Sequence, residues 1–161
     1  MGRGPERPLQ TGDRAPAVSL RTLDGAAVSL PDLWAGGPVL LAFYKASCPT
    51  CQLTLPFLER LRQQGVRVFC AAQDDAAVAR AFNAEYGMPD MPTLTDPAAD
   101  GYPASNAFAI THVPSMFLIG ADGVIEWDSI GFYRIDLEQL GRRFGAAVFR
   151  DGDNVPAMKA G

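Results

Sequence analysis

The chain has 161 residues, 48% of them apolar and 20% charged, with a formal net charge of −4. That composition belongs to a globular protein with enough chain for a real core; no basic run marks a nucleic-acid surface, and no apolar stretch approaches the ~20 residues of a membrane span. The three cysteines are too few for a disulfide scaffold, and two of them stand close together, a pattern more often catalytic than structural in a reducing compartment.

Residues 1–12 are rich in Gly, Pro and charge and read as loose. Met1 to Pro8 lacks the apolar segment of a secretory leader, so the protein is expected in the cytoplasm; an exported form trimmed of its leader would read the same way. Short alternating runs at 17–20 and 27–30 flank Asp24-Gly25, the signature of a hairpin. Pro31 to Gly37 reads as a turn with a short helical piece. Val39-Leu40-Leu41-Ala42-Phe43-Tyr44 is apolar on both faces, as a central strand covered by helices should be. A helix over 52–64 follows, with Leu53, Phe57 and Leu61 on its core side and Pro56 expected to kink it.

Val66 to Ala72 predicts another strand, with Cys70 as a small buried hydrophobe. Asp74 or Asp75 can cap a helix over 76–86 that stops at Gly87 and Pro89. A short strand within 91–96 and a short helix over 105–109 lead to Thr111-His112-Val113-Pro114-Ser115 and the strand Met116-Phe117-Leu118-Ile119. Asp122-Gly123 turns the chain into Val124-Ile125-Glu126-Trp127 as a second hairpin. The last helix is expected over 137–149, and 151–161 reads as loose. Strands alternating with helices, closed by a hairpin, make an α/β sandwich around a mixed sheet. No linker divides it, so 1–161 reads as one domain.

The chemistry gathers at Cys48-Pro49-Thr50-Cys51, between the central strand and the helix that follows it. Cys48 falls at the helix N-terminus, where free N–H groups and the dipole favour thiolate over thiol, which marks it as the nucleophile. Cys51 lies about a turn further on and can attack a mixed disulfide at Cys48. Two plainer readings stand beside this one: a pair of buried apolar cysteines, or half of a zinc site. The strand-to-helix context favours redox chemistry, and Cys70 in a strand with a single histidine makes a poor zinc set.

In this order, Gly12-Asp13-Arg14-Ala15-Pro16, Leu23-Asp24-Gly25, the strand 39–44, Cys48-Pro49-Thr50-Cys51, Pro56, Gly87, Val113-Pro114-Ser115 and Asp122-Gly123 resemble the thioredoxin-like redoxins. That group comprises the alkyl-hydroperoxide-reductase/thiol-specific-antioxidant superfamily and the thiol–disulfide oxidoreductases of cytochrome maturation. The resemblance covers about residues 12–145. It implies a thioredoxin-like sandwich, with a mixed central sheet, an N-terminal β-hairpin and helices on both faces. It implies an exposed nucleophile at Cys48, a buried resolving cysteine at Cys51, and a cis-proline at Pro114 facing them. Val113 would offer its backbone to a substrate strand. Pro49, Thr50 and His112 would shape the site, His112 as a cation near Cys48. No metal or organic cofactor is implied. The partners would be protein thiols or disulfides and an upstream thiol reductant, with no nucleic acid or membrane, and the chain a monomer or weak dimer.

The chain also departs from the family pattern. Ser47 stands where thioredoxins place Trp, Ala42 where thioredoxin has a buried acid, and Thr54 where the cytochrome-maturation proteins have Glu. Peroxiredoxins share the superfamily; their peroxidatic cysteine would align with Cys51, but the threonine and proline before it are replaced by Cys48 and Tyr44. An antioxidant thiol peroxidase is therefore the second reading, and a non-catalytic binding module that keeps the fold the third.

Overall fold

The computed structural model describes residues 7–161. The first half of the stretch expected to be loose, residues 1–6, lies outside the described residues. Its second half is tied down: the Leu9 amide donates to the Phe108 carbonyl and the Gly12 amide to the Ile125 carbonyl.

The chain opens with the expected hairpin, β1 (Ser19–Thr22) and β2 (Ala27–Ser29), then the short helix α1 (Leu30–Trp34). β3 (Val39–Tyr44) leads to α2 (Pro49–Gln63), β4 (Val68–Ala72) to α3 (Ala76–Glu85), and β5 (Thr93–Thr95) to a single 3-10 turn and α4 (Pro103–Ala107). β6 (Ser115–Ile119) and β7 (Ile125–Ile130) form the second hairpin. β8 (Phe132–Tyr133), α5 (Arg134–Arg143) and β9 (Met158–Lys159) complete the chain.

Seven strands make one sheet in the order β2-β1-β5-β4-β3-β6-β7. β3, β4 and β5 run parallel, and β6 lies antiparallel to β3 on its other side. β3 is buried at every residue, and its period of two sorts its side chains between two cores. Leu40, Ala42 and Tyr44 join α2, α3 and α5, whereas Val39, Leu41 and Phe43 join α1 and α4. Helices therefore cover both faces of a mixed sheet, as the resemblance implies.

Three local readings change. α2 begins at Pro49, three residues ahead of the apolar-periodic segment and with Cys48 at its N-terminus as expected, because a proline at the first helical position has its φ already set and needs no backbone donor. It then runs to Gln63 through Pro56. α5 spans Arg134–Arg143 rather than 137–149; Gly145, at φ +63°, turns the chain out of it. The largest departure is the end of the chain. Residues 151–161 were expected to be loose, yet Met158–Lys159 forms β9 against β8, in the register Phe132↔Lys159 and Tyr133↔Met158. The Arg60 guanidinium grips the Asp153 carboxylate at 2.6 and 3.0 Å and also donates to the Val148 carbonyl. Phe149 packs on Phe57, with ring centroids 4.9 Å apart.

Candidate active site

β3 ends at Tyr44, and the next three residues form a tight loop into α2. The Cys48 amide donates to the Lys45 carbonyl. The Ala46 amide donates to Asp74 Oδ2 at 2.8 Å, and Gln52 Nε2 donates to the Ala46 carbonyl at 3.0 Å. The loop is thus held from the end of β4 and from the first turn of α2. Cys48 is the N-cap of α2, with extended backbone at φ −86° and ψ 114°, and its Sγ accepts the Cys51 amide at 3.2 Å. A sulfur therefore takes the place of the usual Ser or Asp oxygen as the acceptor for an orphan first-turn donor.

The two cysteines differ in environment. Cys48 is half-buried, whereas Cys51 is fully buried beneath it. Burial, and after it the Cys48 sulfur, push the Cys51 thiol above its ordinary range, with the Lys45 backbone pulling the other way. Cys70, opposite Ala42 on β4, is also fully buried, and burial pushes its thiol up as well. The expectation that it is a small core hydrophobe fits this placement.

The second half of the site lies at the start of β6. The Val113–Pro114 peptide bond is cis. The Cys48 thiol lies 3.4 Å from the Val113 carbonyl oxygen, as a donor to it, which sets the first cysteine against the cis-proline loop. The Ser115 hydroxyl donates to the His112 carbonyl at 2.6 Å, and the Gly131 amide donates to the Pro114 carbonyl at 2.8 Å, fixing that loop from both sides. Cys48, His112, Val113 and Gln73 line an open cleft of about 310 Å³. His112 is exposed in that cleft, with its ring Nδ1 3.0 Å from the Thr111 hydroxyl. Pro49 and Lys45 are exposed, whereas Thr50 is buried and its hydroxyl donates to the Ala160 carbonyl at 2.6 Å.

Every candidate residue therefore borders the same end of the sheet, with one difference from the expected picture. The Val113 carbonyl does not stand open: Gly161 lies against it so closely that a Cβ there would run into it. The residues missed in the sequence are Asp74, Gln52 and Ser115, which hold the two loops, and Ala160 and Gly161, which reach the site from the far end. Ser115 follows Pro114 directly and carries a usable signal. The tail carries none, since its approach depends on contacts with distant residues, Thr50, Val113 and Phe132.

Tyr44 is the residue expected in place of a peroxidase's proline. It is buried, and its hydroxyl donates to Asn83 Oδ1 at 2.8 Å, away from solvent. Among the described residues no cluster of His, Cys, Asp or Glu is arranged to hold a metal ion, and no helix is long and apolar enough to cross a membrane.

The Redoxin family model matches residues 10–137, most of the chain and all of the site except its final residues. The chain belongs to the Redoxin family. The thioredoxin-like protein YneN of Bacillus subtilis is 31% identical over 130 residues, covering 76% of this chain and 73% of that protein. The thiol:disulfide interchange protein DsbE of Escherichia coli is 32% identical over 123 residues, covering 74% of this redoxin and 65% of DsbE. The chain thus spans about two thirds of the length of such relatives. A crystal structure from Chlorobium tepidum, assigned as a DsbE thiol:disulfide interchange protein, superposes with a TM-score of 0.71 at 26% identity, covering 88% of this redoxin and 99% of that chain. This redoxin is an oxidoreductase of the thiol–disulfide kind, with a thioredoxin-like fold.

Proposed function

We propose that this redoxin exchanges disulfides with polypeptide partners through Cys48, with Cys51 as the resolving thiol. The observation that carries the reading is the hydrogen bond from the Cys51 amide to Cys48 Sγ at the mouth of α2. A negative sulfur there accepts a charge-assisted hydrogen bond and faces the positive end of the helix dipole. In the reducing direction the Cys48 thiolate attacks one sulfur of a substrate disulfide; the new S–S bond joins Cys48 to that sulfur, and the other leaves as thiolate. Cys51 then attacks Cys48 Sγ. Its proton passes to the departing substrate thiolate, and the Lys45 backbone stabilises its sulfur as charge develops. The sulfur released first takes a proton from solvent, and the products are a substrate dithiol and a Cys48–Cys51 disulfide. An upstream thiol reductant returns the two electrons, and the cycle run backwards oxidises a substrate dithiol.

Pro49, Thr50, Val113, Pro114 and His112 shape the surface on which the substrate sulfur is presented. A peroxidase reading fits less well, because Cys51, at the peroxidatic position, is sealed in the core with its thiol pushed up by burial.

Insulin reduction driven by dithiothreitol, measured beside peroxide consumption driven by the same thiol, tests the assignment. Wild type should reduce insulin, Cys48→Ser should not, and Cys51→Ser should accumulate a mixed disulfide. Activity confined to peroxide and lost in Cys51→Ser would overturn it.

A further inference from the structure

We propose that residues 157–161 form a strap over the substrate-docking edge, which slows exchange with extended polypeptides relative to small disulfides until the strap is displaced. The inference rests on the thiol–disulfide reading above and goes beyond it by assigning a specificity element to residues 157–161.

The strap is built in three places. It is paired to the body through β8 and β9, and the Arg134 amide adds a bond of 2.9 Å to the Ala157 carbonyl. Upstream it is anchored by the two-pronged contact of Arg60 with Asp153 and by Phe149 against Phe57 and Phe132. At the site it crosses from one half to the other. The Ala160 carbonyl takes the hydroxyl of Thr50, a residue between the two cysteines, and Gly161 lies on the Val113 carbonyl, the group that Cys48 also reaches. The composition suits the path. Gly131, at φ +82°, lies against the strap backbone: a Cβ there would be 3.0 Å from the Lys159 carbonyl oxygen and 3.3 Å from the Gly161 nitrogen.

An extended substrate adds to a sheet edge by exchanging main-chain hydrogen bonds with it. The backbone that would accept it here, Val113, carries Gly161 instead. A small disulfide needs no such edge. It can approach half-buried Cys48 from the cleft at His112 and Gln73, whose volume of about 310 Å³ is at the lower end of small-molecule sites. The rate with polypeptides is therefore set by how often the strap lies on the edge.

Two variants release the strap without touching the cysteines. Lys159→Pro removes the backbone N–H opposite Phe132 in the β8–β9 register, and Asp153→Asn removes the carboxylate that Arg60 grips upstream of the strap. Three rates are compared: insulin reduction, reduction of 5,5′-dithiobis(2-nitrobenzoate), and alkylation of Cys48 by a polymer-linked maleimide relative to iodoacetamide. Both variants should gain at least about threefold in kcat/KM for insulin and in the maleimide-to-iodoacetamide ratio, with the small disulfide changed less than about twofold, because apparent affinity scales with the fraction of molecules whose edge is open. An unchanged alkylation ratio in both variants, with thermal unfolding showing the fold retained, would overturn the strap. A raised ratio with neither disulfide reduced would support the cover and overturn the oxidoreductase reading instead.

Discussion

The Cys51 amide lies 3.2 Å from the Cys48 sulfur, so the buried member of the pair holds the sulfur of the exposed member at the mouth of α2. The two thiols consequently present different faces to reagents. At pH 7 iodoacetamide should label Cys48 first, with Cys51 and Cys70 lagging in the order in which unfolding exposes them. Peptide mapping of partially labelled protein checks this; early label on Cys51 or Cys70 would reverse the assignment of nucleophile.

The buried thiols make the reduced protein sensitive to alkali. Burial raises Cys51 and Cys70 above their ordinary range in the folded state. Below about pH 8.5 both thiols are protonated whether the chain is folded or not, and they add no pH dependence. Above it the unfolded chain loses those protons while the folded chain keeps them, so stability falls as pH rises, by up to about 1.4 kcal/mol per pH unit for each thiol. Urea unfolding of the reduced protein between pH 8.5 and 10 should show that slope, and Cys70→Ala should remove close to half of it.

At the acid end the anchor of the strap titrates. The Arg60 side chain, and then the Arg150 amide, hold the Asp153 carboxyl down at about 2. A lowered acid contributes stability that is present above its ordinary range near pH 4 and is lost as pH falls towards that lower value. Hydrogen exchange of residues 148–161 should therefore quicken across this window in wild type. Asp153→Asn should exchange quickly at every pH, with the sheet unaffected.

Tyr44 donates to Asn83, Asn83 Nδ2 donates to Thr93 Oγ1, and Thr93 donates to the Met91 carbonyl, all within the core. Tyr44→Phe leaves the Asn83 oxygen buried without that donor and should cost about 1–3 kcal/mol. Urea unfolding measures the loss. Insulin reduction per folded molecule should stay within about twofold, since the hydroxyl faces Asn83 and not the cysteines.

The parts of this molecule that could be read from the sequence are those whose cause is local. β3 was bounded to the residue because six consecutive apolar side chains leave a strand little freedom to begin or end elsewhere. The cysteine pair was legible because its spacing and its place before a helix carry the chemistry. The start of α2 was legible in Cys48, expected at the helix N-terminus and found as its N-cap, although the apolar period itself begins only at Gln52. α5 starts three residues ahead of Leu137, its first buried residue, so its opening turn carries no apolar signal facing the core. β8 and β9 have two residues each, too few for any period, and Ala160 and Gly161 have no local pattern to betray them. What brings them to Thr50 and Val113 is pairing across the molecule, to which a sequence window is blind.

The antiparallel ladder between β3 and β6 sets Phe43 beside Ser115. The strand that delivers the cysteines and the strand that follows the proline loop thus share one ruler, ruled in the most deeply buried part of the sheet. Between Asp74 and Thr111 the chain is tied to that ruler through β5 and through Phe108 against Phe43 and Phe117. The exposed loops around those ties can grow or drift in composition, and the distance between Cys48 and Val113 will hardly notice. In such a chain, chemistry and ornament can be altered independently, and a new outer surface can be grafted around an old reaction.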